Sequence, residues 1–508
     1  MNTNDIVVSS LGGRTAFERN QTNQPKVAGV QHYEDDDMRF LHPHGIGFNT
    51  ENIEKYRPGG FHPVHLGDRF DHGRYKIVHK LGAGGFSTVW LAEDKIEEKW
   101  VALKIVAAKH SRMVAEKATL SRSATSSLTT GDEPAFIAQY HRQFTFEGPN
   151  GHHLCLVLPV LGPPVSDLSH GFTCRLRPWL ARKVGYEAVK AIANLHSHGL
   201  CHGDVTNANI LFGLTNFDRF NEADIYNLFR LPATGLLETE SGEPTGPEAP
   251  RYIVETLDFL STNVNIISHD IQLVDFDQCF PAASPPKKML GTPIDFLAPE
   301  VAVGLAASPA SDVWALGCCL FRLRSGEGPF ESPCKVTSPA DLMRYIILTI
   351  GDMPSTWQQT LWDGNGKPTE DHTKGTLLTK WGDERPLKDL VYQIWDEPEG
   401  RVVQTSTLIP EKNRRHVFSE KDRTPFPQYF SDMVWRPTAI KVNNAYLEGY
   451  DKETERLLTA IPKIPENEAA LLWDLLLKIF VYEPERRITA ADMLNHPWFH
   501  IDDKHASN

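Results

Sequence analysis

The sequence predicts an α+β protein in which a small unit of antiparallel strands precedes a larger, mainly helical unit. Three strand-like apolar segments with a glycine turn lie within residues 75–106, a pattern typical of an antiparallel meander. Apolar residues recur every three or four positions over residues 178–198, which predicts a buried helix. The residues on that apolar stripe are Leu180, Val184, Ala188, Ala191 and Leu195.

The remaining elements follow from the same local signals, since apolar runs between turn residues predict strands and a period of three to four predicts helices. The expected strands are 75–81, 87–92, 100–106, 153–158, 209–212 and 271–274. Further helices are expected at about 109–120, 310–324, 338–350, 468–480 and 489–494. Irregular stretches at about 213–268 and 351–425 are predicted insertions in the helical unit.

The composition is that of a large, acidic, globular protein. With 508 residues, of which 41% are hydrophobic, the chain can bury a substantial core. The formal charge of −13 argues against direct binding of nucleic acid, which relies on clustered lysine and arginine. An acidic surface would attract basic partners, or it would simply keep the protein soluble. We favour a monomer, although the sequence does not identify the oligomeric state.

The cysteines and the N-terminal residues indicate an intracellular protein. The seven cysteines are scattered and include no CxxC pair, which argues against a disulfide scaffold or a zinc site. Residues 1–30 lack the features of a secretory signal, and no run of about 18 apolar residues occurs that could span a membrane. We therefore expect a reducing compartment, the cytoplasm or the nucleus, and no membrane association.

A glycine-rich turn between two predicted strands is the first candidate binding element. Because glycine has no side chain, the backbone of this turn could fold closely over phosphates. A strand reversal also favours glycine, so an ordinary hairpin explains the same residues. The candidate nucleotide-binding residues here are Leu81, Gly82, Ala83, Gly84, Gly85, Phe86, Ser87, Thr88 and Val89.

A lysine follows in an apolar strand. An unpaired ammonium is costly to bury, so Lys104 indicates a nearby anion, either a phosphate or a carboxylate. Glu116, on the next predicted helix, is the expected carboxylate partner. The alternatives are a Lys104 exposed on an edge strand and a Glu116 that faces solvent.

The strongest chemical signal is a polar turn after the predicted helix, which carries Asp204 and Asn209. An aspartate there can orient a hydroxyl group and accept its proton, and the asparagine offers a neutral oxygen to a metal. Asp275 ends a predicted strand and supplies the hard carboxylate that Mg²⁺ prefers. Each residue alone could be a turn cap. That alternative weakens when all these groups occur together in this order.

Together these motifs resemble the protein kinases. The glycine-rich loop, Val101-Ala-Leu-Lys104, the His-Gly-Asp turn, Asp275-Phe-Asp277 and Leu297-Ala-Pro-Glu300 follow one another as in that family, over roughly residues 70–500. The resemblance implies the two-lobed protein-kinase fold, ATP and Mg²⁺ as cofactors, and phosphoryl transfer to serine or threonine of proteins. In that reaction Asp204 would orient the hydroxyl, Lys104 would hold phosphates, and Asn209 with Asp275 would hold magnesium.

The resemblance also divides the chain. It implies a small lobe with the hinge at 56–162 and a large lobe at 163–500 that carries both insertions. A partly disordered N-terminal tail, 1–55, and a C-terminal tail, 501–508, would flank them. Within the large lobe it implies an ion pair between Glu300 and Arg487, although both could instead be surface charges.

A closer resemblance is to the SR-protein kinases, particularly their divergent fungal relatives. It rests on Tyr56-Arg-Pro-Gly-Gly-Phe-His-Pro-Val-His-Leu-Gly-Asp68, on Gly85-Phe-Ser-Thr-Val-Trp-Leu91, on Val160-Leu-Gly162 and on the insertion that ends in Ala249-Pro-Arg-Tyr-Ile-Val254. It suggests that the protein substrates are rich in arginine and serine.

The same resemblance assigns the adenine site. The carbonyl of Pro159 and the N–H of Leu161 would bind the base, and proline lacks only an N–H that is not required there. Leu158 would be the gatekeeper beside the base. Each apolar residue expected around the ring could also be plain core; these residues are Leu81, Val89, Ala102 and Leu211.

Three residues depart from the kinase pattern. Gly203 replaces an arginine that would bind an activation-loop phosphate, so control by that phosphorylation is not expected; SR-protein kinases also lack this arginine. Thr206 replaces a lysine that would steady the phosphoryl group. Asp277 replaces a glycine, and we expect it to face solvent rather than to assist metal binding. These departures leave a pseudokinase, a nucleotide-binding or scaffolding module, as the alternative function.

Overall fold

The computed structural model describes most of the two predicted units. It covers residues 39–47, 50–128, 136–169, 174–262, 264–287, 290–331, 336–380, 382–397, 430–435, 441–442, 445–446 and 461–501. Most of the predicted N-terminal tail, residues 398–425 of the second predicted insertion and residues 502–508 lie outside the described residues.

The small lobe is a six-stranded antiparallel sheet with the strand order β2-β3-β4-β5-β7-β6. Its strands, preceded by the short β1, are β1 Phe40–Leu41, β2 Arg69–Phe70, β3 Tyr75–Ala83, β4 Ser87–Asp94, β5 Lys99–Val106, β6 Arg142–Gly148 and β7 Gly151–Leu158. Tyr75, Ile77, Trp90, Leu103 and Val157 are buried together in a cluster of this lobe. The predicted meander is thus confirmed, and β3 runs two residues further than expected.

Helix α1 (Ala108–Leu128) packs on β7 through Val114 and Ala118, which are buried with Leu154 and Leu156. Its first turn is capped by the N-terminal segment, because the carbonyls of Gly59 and Gly60 accept the N–H groups of Lys109 and Ala108 at 2.9 and 3.0 Å. A Cβ on Gly60 would lie 1.9 Å from the carbonyl oxygen of Lys55. Glycine is therefore required at that point of the Tyr56–Asp68 segment.

The large lobe is mainly helical. Its helices are α2 Val165–Leu168, α3 Pro178–Ser197, α4 Glu222–Phe229, α5 Pro299–Ala302, α6 Pro309–Ser325, α7 Pro339–Ile350, α8 Leu387–Tyr392, α9 Phe430–Met433, α10 Glu466–Ile479 and α11 Ala490–Met493. All five residues of the predicted stripe on α3 are buried. The α+β, two-lobed arrangement expected from the sequence is confirmed.

Short strands complete the large lobe. They are β8 Arg175–Leu176, β9 Leu200–Cys201, β10 Ile210–Leu214, β11 Thr234–Leu236, β12 Glu238–Thr239, β13 Tyr252–Val254, β14 Ile267–Leu273, β15 Phe280–Pro281, β16 Leu361–Trp362, β17 Pro368–Thr369, β18 Thr376–Leu377, β19 Val434–Trp435, β20 Lys441–Val442 and β21 Ala445–Tyr446. β10 pairs antiparallel with β14, and Ile210 lies opposite Leu273. This register brings the turn before β10 beside the turn after β14.

The insertion between β10 and β14 packs against the small lobe. Glu222 of α4 pairs with Lys76 at 2.6 Å, and the carboxylate of Asp218 accepts the backbone N–H of Trp100 at 2.8 Å. Trp100 also belongs to the same apolar cluster as Phe217 of the insertion. The insertion therefore links the two lobes on the side of β3 and β5.

The N-terminal residues that are described also pack on the folded protein. β1 pairs with β12 of the insertion. Glu51 is buried and forms an ion pair with the buried Lys80 of β3, while it accepts the hydroxyl of Tyr56 at 2.7 Å. Within the described residues, no helix is long and apolar enough to cross a membrane. The six cysteines in this part of the chain are all buried.

Candidate active site

The turn between β9 and β10 holds the candidate catalytic aspartate. Asp312 of α6 fixes this turn, because its carboxylate accepts the backbone N–H groups of His202 at 2.7 Å and Gly203 at 2.9 Å. Asp312 is itself buried and contacts His196 at 3.0 Å. Asp312, near the start of α6, was not among the residues predicted for the site.

Asp204 lies in this turn beside Asn209. The side-chain amide of Asn209 donates to the carbonyl of Asp204 at 2.8 Å and to its Oδ2 at 3.1 Å, which leaves the amide oxygen of Asn209 free of that contact. The Oδ1 of Asp204 is buried and has no hydrogen-bond partner among the described residues. Burial raises the pKa of Asp204 to about 6, and His202 opposes this effect.

Lys104 projects from β5, where its residue lies opposite Val89 of β4. Its Nζ lies 2.9 Å from Oδ1 of Asp275 and 2.9 Å from Oδ2 of Asp277. Burial disfavours the ammonium, yet the two carboxylates outweigh burial and hold the pKa of Lys104 above its usual range. The expected anion beside Lys104 is therefore a pair of aspartates.

The expected pair of Lys104 with Glu116 is wrong. The Glu116 side chain is 68% exposed and contacts Arg112, one turn earlier on α1, at 3.4 Å. Val114 and Ala118 bury the opposite face of the helix, so the residue between them turns to solvent. The expectation that Asp277 faces solvent is also wrong, since the residue is only 6% exposed.

Asp275 follows β14 with a left-handed backbone, at φ 66°. In this conformation its carboxylate contacts Lys104 and accepts the backbone N–H of Asp277 at 3.4 Å. Burial would raise the pKa of Asp275, but Lys104 outweighs burial and lowers it, so the group is a carboxylate. Asp275 contacts Lys104 of the small lobe, and the pairing of β14 with β10 places Asp275 beside the turn that carries Asp204 and Asn209. These four residues thus meet between the lobes.

The glycine-rich turn joins β3 to β4 above these groups. A Cβ on Gly82, Gly84 or Gly85 would meet no protein atom within 4 Å, so the fold alone does not require glycine there. Ser87 and Thr88 are buried, whereas the tip from Ala83 to Phe86 is exposed. The Nζ of Lys55 donates to the carbonyl of Gly85 at 2.6 Å, which ties the turn to the N-terminal segment.

The residues assigned to the adenine site lie at the connection between the lobes. Ala102 of β5 pairs with Leu158 at the end of β7. After β7 the chain runs alongside β10, where Pro164 forms an isolated antiparallel β-bridge with Leu211. Leu81, Val89, Leu158, Pro159 and Leu211 are partly exposed. Within the described part of the chain, the carbonyl of Pro159 and the N–H of Leu161 make no backbone hydrogen bond. The two polar groups predicted to bind the base are therefore free to do so.

Gly203 explains one departure from the kinase pattern. Its φ is +78°, and a Cβ there would lie 2.7 Å from the carbonyl oxygen of Gln278. An arginine at this position would require the turn to shift. The turn before Asp204 is therefore built for a residue without a side chain.

The Glu300–Arg487 pair implied by the resemblance is present. Two guanidinium nitrogens of Arg487 contact the two carboxylate oxygens of Glu300 at 2.9 and 3.0 Å, and both side chains are buried. Arg487 also donates to the carbonyls of Ala310 and Val481, and Ser311 donates to Glu300. This network joins α5 to the segment before α11.

Comparison with known proteins identifies the family of this chain. The sequence model of the protein kinase domain matches residues 75–219 and 257–499. The two ends of the chain and most of the insertion between β10 and β14 lie outside the match. The chain is 37% identical over 172 residues to protein kinase dsk1 of Schizosaccharomyces pombe, and 34% identical over 177 residues to SRSF protein kinase 3 of Homo sapiens. It is 25% identical over 468 residues to serine/threonine-protein kinase SRPK of Physarum polycephalum.

The extent of these matches differs. The first two cover 32% of this chain and about a third of each relative, 31% and 29% respectively. The match to the Physarum protein covers 88% of this chain and 91% of that relative. The family match also extends over more than half of the chain, and the matched ranges include Lys104, Asp204, Asn209 and Asp275. The chain belongs to the protein kinase domain family.

Proposed function

We propose that this protein transfers the terminal phosphoryl group of ATP to serine or threonine hydroxyls of other proteins, in the cytoplasm or the nucleus. The observation that carries the proposal is the meeting of Lys104, Asp204, Asn209 and Asp275 between the lobes. In this reaction the hydroxyl oxygen forms a bond to phosphorus as the bond to the ADP oxygen breaks, and Asp204 takes the hydroxyl proton.

ATP and Mg²⁺ fit the residues of the site. The buried Oδ1 of Asp204 has no hydrogen-bond partner among the described residues and can accept a hydrogen bond from a bound hydroxyl group. The glycine turn leaves room for a ligand near its backbone. Among the described residues, no three His, Cys, Asp or Glu side chains form a metal site by themselves. Magnesium usually takes one or two protein oxygens together with phosphate oxygens. Asn209 and Asp275 can supply those two.

The residues of the site have separate tasks. Lys104 would neutralise phosphate charge, and its burial lets that charge act with little screening by water. Magnesium, held by Asn209 and Asp275, would supply charge stabilisation of the transferring group. Asp204 would orient the acceptor hydroxyl and remove its proton. Its pKa of about 6 in the absence of ligands leaves it mostly ionised at neutral pH.

The proposed protein substrates are rich in arginine and serine. Two relatives carry the names serine/threonine-protein kinase SRPK and SRSF protein kinase 3, and the N-terminal and loop motifs resemble the same group. The formal charge of −13 suits basic substrates.

The direct test is transfer of labelled phosphate from ATP to an Arg/Ser-repeat peptide, with an Arg/Ala-repeat peptide as the matched control. We expect transfer to the serine peptide alone, and a loss of about 100-fold or more in Lys104→Met, because the phosphates lose their buried cation. If wild type and Lys104→Met are equally silent while ATP still raises the Tm of wild type, the protein is a pseudokinase and the proposal fails.

Lys55 should matter for nucleotide binding. Replacing Lys55 by methionine removes the tether to the carbonyl of Gly85, so the glycine turn becomes more mobile over the phosphates. One partly exposed, charge-assisted hydrogen bond is worth about 1 kcal/mol, so we expect the KM for ATP to rise about fivefold. Steady-state rates at varied ATP measure this. Lys109→Met, an exposed lysine nearby, is the control; equal effects of the two variants would contradict the tether.

A further inference from the structure

The strand lysine of this protein has no carboxylate partner on helix α1. Phosphoryl transfer in kinases requires the strand lysine to be held by a glutamate of the helix that follows it. Over Ala108–Leu128 the sequence contains one acidic residue, Glu116. That residue faces solvent and contacts Arg112. The helix therefore cannot hold Lys104 in the usual way.

Asp277 occupies the space between the lysine and the helix. Its Oδ2 lies 2.9 Å from Nζ of Lys104, and its backbone carbonyl accepts the Nζ of Lys117 of α1 at 2.6 Å. The residue lies in a one-turn 3-10 helix, Phe276–Gln278, and is 6% exposed. The same residue thus contacts the lysine through its side chain and the helix through its backbone.

We propose that Asp277 is the positioning residue for Lys104, in place of a carboxylate on α1. The inference rests on the proposed function, because it assigns Asp275 to the metal. Once Asp275 binds Mg²⁺, the only other carboxylate that contacts Lys104 in the described structure is Asp277. A buried ammonium without a partner is costly, so the carboxylate of Asp277, 2.9 Å from Nζ, holds Lys104 in place beside the phosphates.

This assignment explains why an aspartate replaces the usual glycine. A glycine at 277 would leave Lys104 with Asp275 as its one carboxylate partner among the described residues. The contact with the helix does not depend on the Asp277 side chain. Lys117 of α1 donates to the backbone carbonyl of residue 277, so a substitution at residue 277 that keeps the backbone in place also keeps this hydrogen bond.

A double-mutant cycle tests the proposal. The variants are Asp277→Asn, Lys104→Met and the two combined; asparagine keeps the shape of aspartate and removes its charge. We expect Asp277→Asn to lower kcat about 30-fold in the presence of Lys104, but less than about twofold in the Lys104→Met background. A multiplicative loss in the combined variant would mean that Asp277 acts independently of Lys104 and would overturn the proposal.

A second readout needs neither nucleotide nor activity. In the nucleotide-free protein, the rate at which an acetylating reagent modifies Lys104, followed by mass spectrometry, should rise about fivefold in Asp277→Asn, because one of two carboxylates that hold the ammonium is gone. The rate at Lys117 should stay within about twofold, since the hydrogen bond of its Nζ goes to the backbone carbonyl of residue 277, which asparagine keeps. An unchanged rate at Lys104 would sink the proposal.

Glu116→Gln is the matched control for both readouts. It neutralises the one acid of α1 and should change neither kcat nor the labelling of Lys104 by more than about twofold, because its side chain contacts only Arg112. A larger effect of Glu116→Gln than of Asp277→Asn would return the positioning role to the helix. If wild type fails to phosphorylate any peptide, the proposed function fails, while the labelling experiment still decides whether Asp277 holds Lys104.

Discussion

Replacing Asp204 by asparagine is expected to lower kcat for peptide phosphorylation about 1,000-fold. The amide keeps the size of the carboxylate but cannot take the hydroxyl proton, and removal of a general base usually costs about 10²–10⁴ in rate. Stability should not fall, because Asp204 carries a charge that burial disfavours, as its raised pKa shows. Initial rates with saturating ATP and peptide, together with the Tm of each variant, measure both effects.

An acid outside the site provides the control for this prediction. Glu116→Gln removes an exposed carboxylate that contacts Arg112 and not the site, so the kcat of this variant should match that of wild type. If the kcat of Asp204→Asn stays within about tenfold of wild type, Asp204 is not the proton acceptor, because the variant then keeps most of the rate without this base.

Replacing Arg487 by methionine is expected to lower the free energy of unfolding by about 3–5 kcal/mol. The substitution leaves the fully buried carboxylate of Glu300 with the hydroxyl of Ser311 but without its counter-charge. It also removes the hydrogen bonds that the guanidinium donates to the carbonyls of Ala310 and Val481. Urea denaturation of the nucleotide-free protein, monitored by fluorescence, gives the difference.

The neighbouring arginine supplies a close comparison. Arg486 is 72% exposed and approaches Glu483 only to 3.7 Å, so Arg486→Met should cost less than about 0.5 kcal/mol. Equal losses for the two variants would show that the buried pair contributes no more than a surface charge. Removing both charges by combining Arg487→Met with Glu300→Leu should recover part of the loss, because no unpaired charge then stays buried.

The regular elements could be predicted because their signals are local. The stripe from Leu180 to Leu195 needs only a period of 3.6 residues and a core to face, and all its members are buried. The meeting of Lys104, Asp204, Asn209 and Asp275 was predictable for another reason. Their order along the chain, with the residue types beside them, is specific enough to identify the family before any distance is known.

The partners of charged groups could not be predicted in the same way. Whether Glu116 reaches Lys104 depends on the rotation of α1 about its own axis. The burial of Val114 and Ala118 against β7 fixes that rotation and turns Glu116 to solvent, so that Asp277 contacts Lys104 instead. The sequence of α1 cannot show that Asp277, from a distant part of the chain, takes the place beside Lys104. The pair of Lys80 with Glu51 likewise joins residues 29 positions apart through the fold of the whole N-terminal segment.

The apolar cluster of the large lobe extends into the small lobe. Val78, Leu91 and Trp100 of the sheet belong to the same buried cluster as Phe217, Phe229 and Phe259 of the insertion. A swing of the small lobe away from the large one would have to pull these side chains apart in water, at a free-energy cost that grows with the apolar area exposed. Hinge opening is thereby coupled to loss of core packing, which disfavours separation of the two lobes.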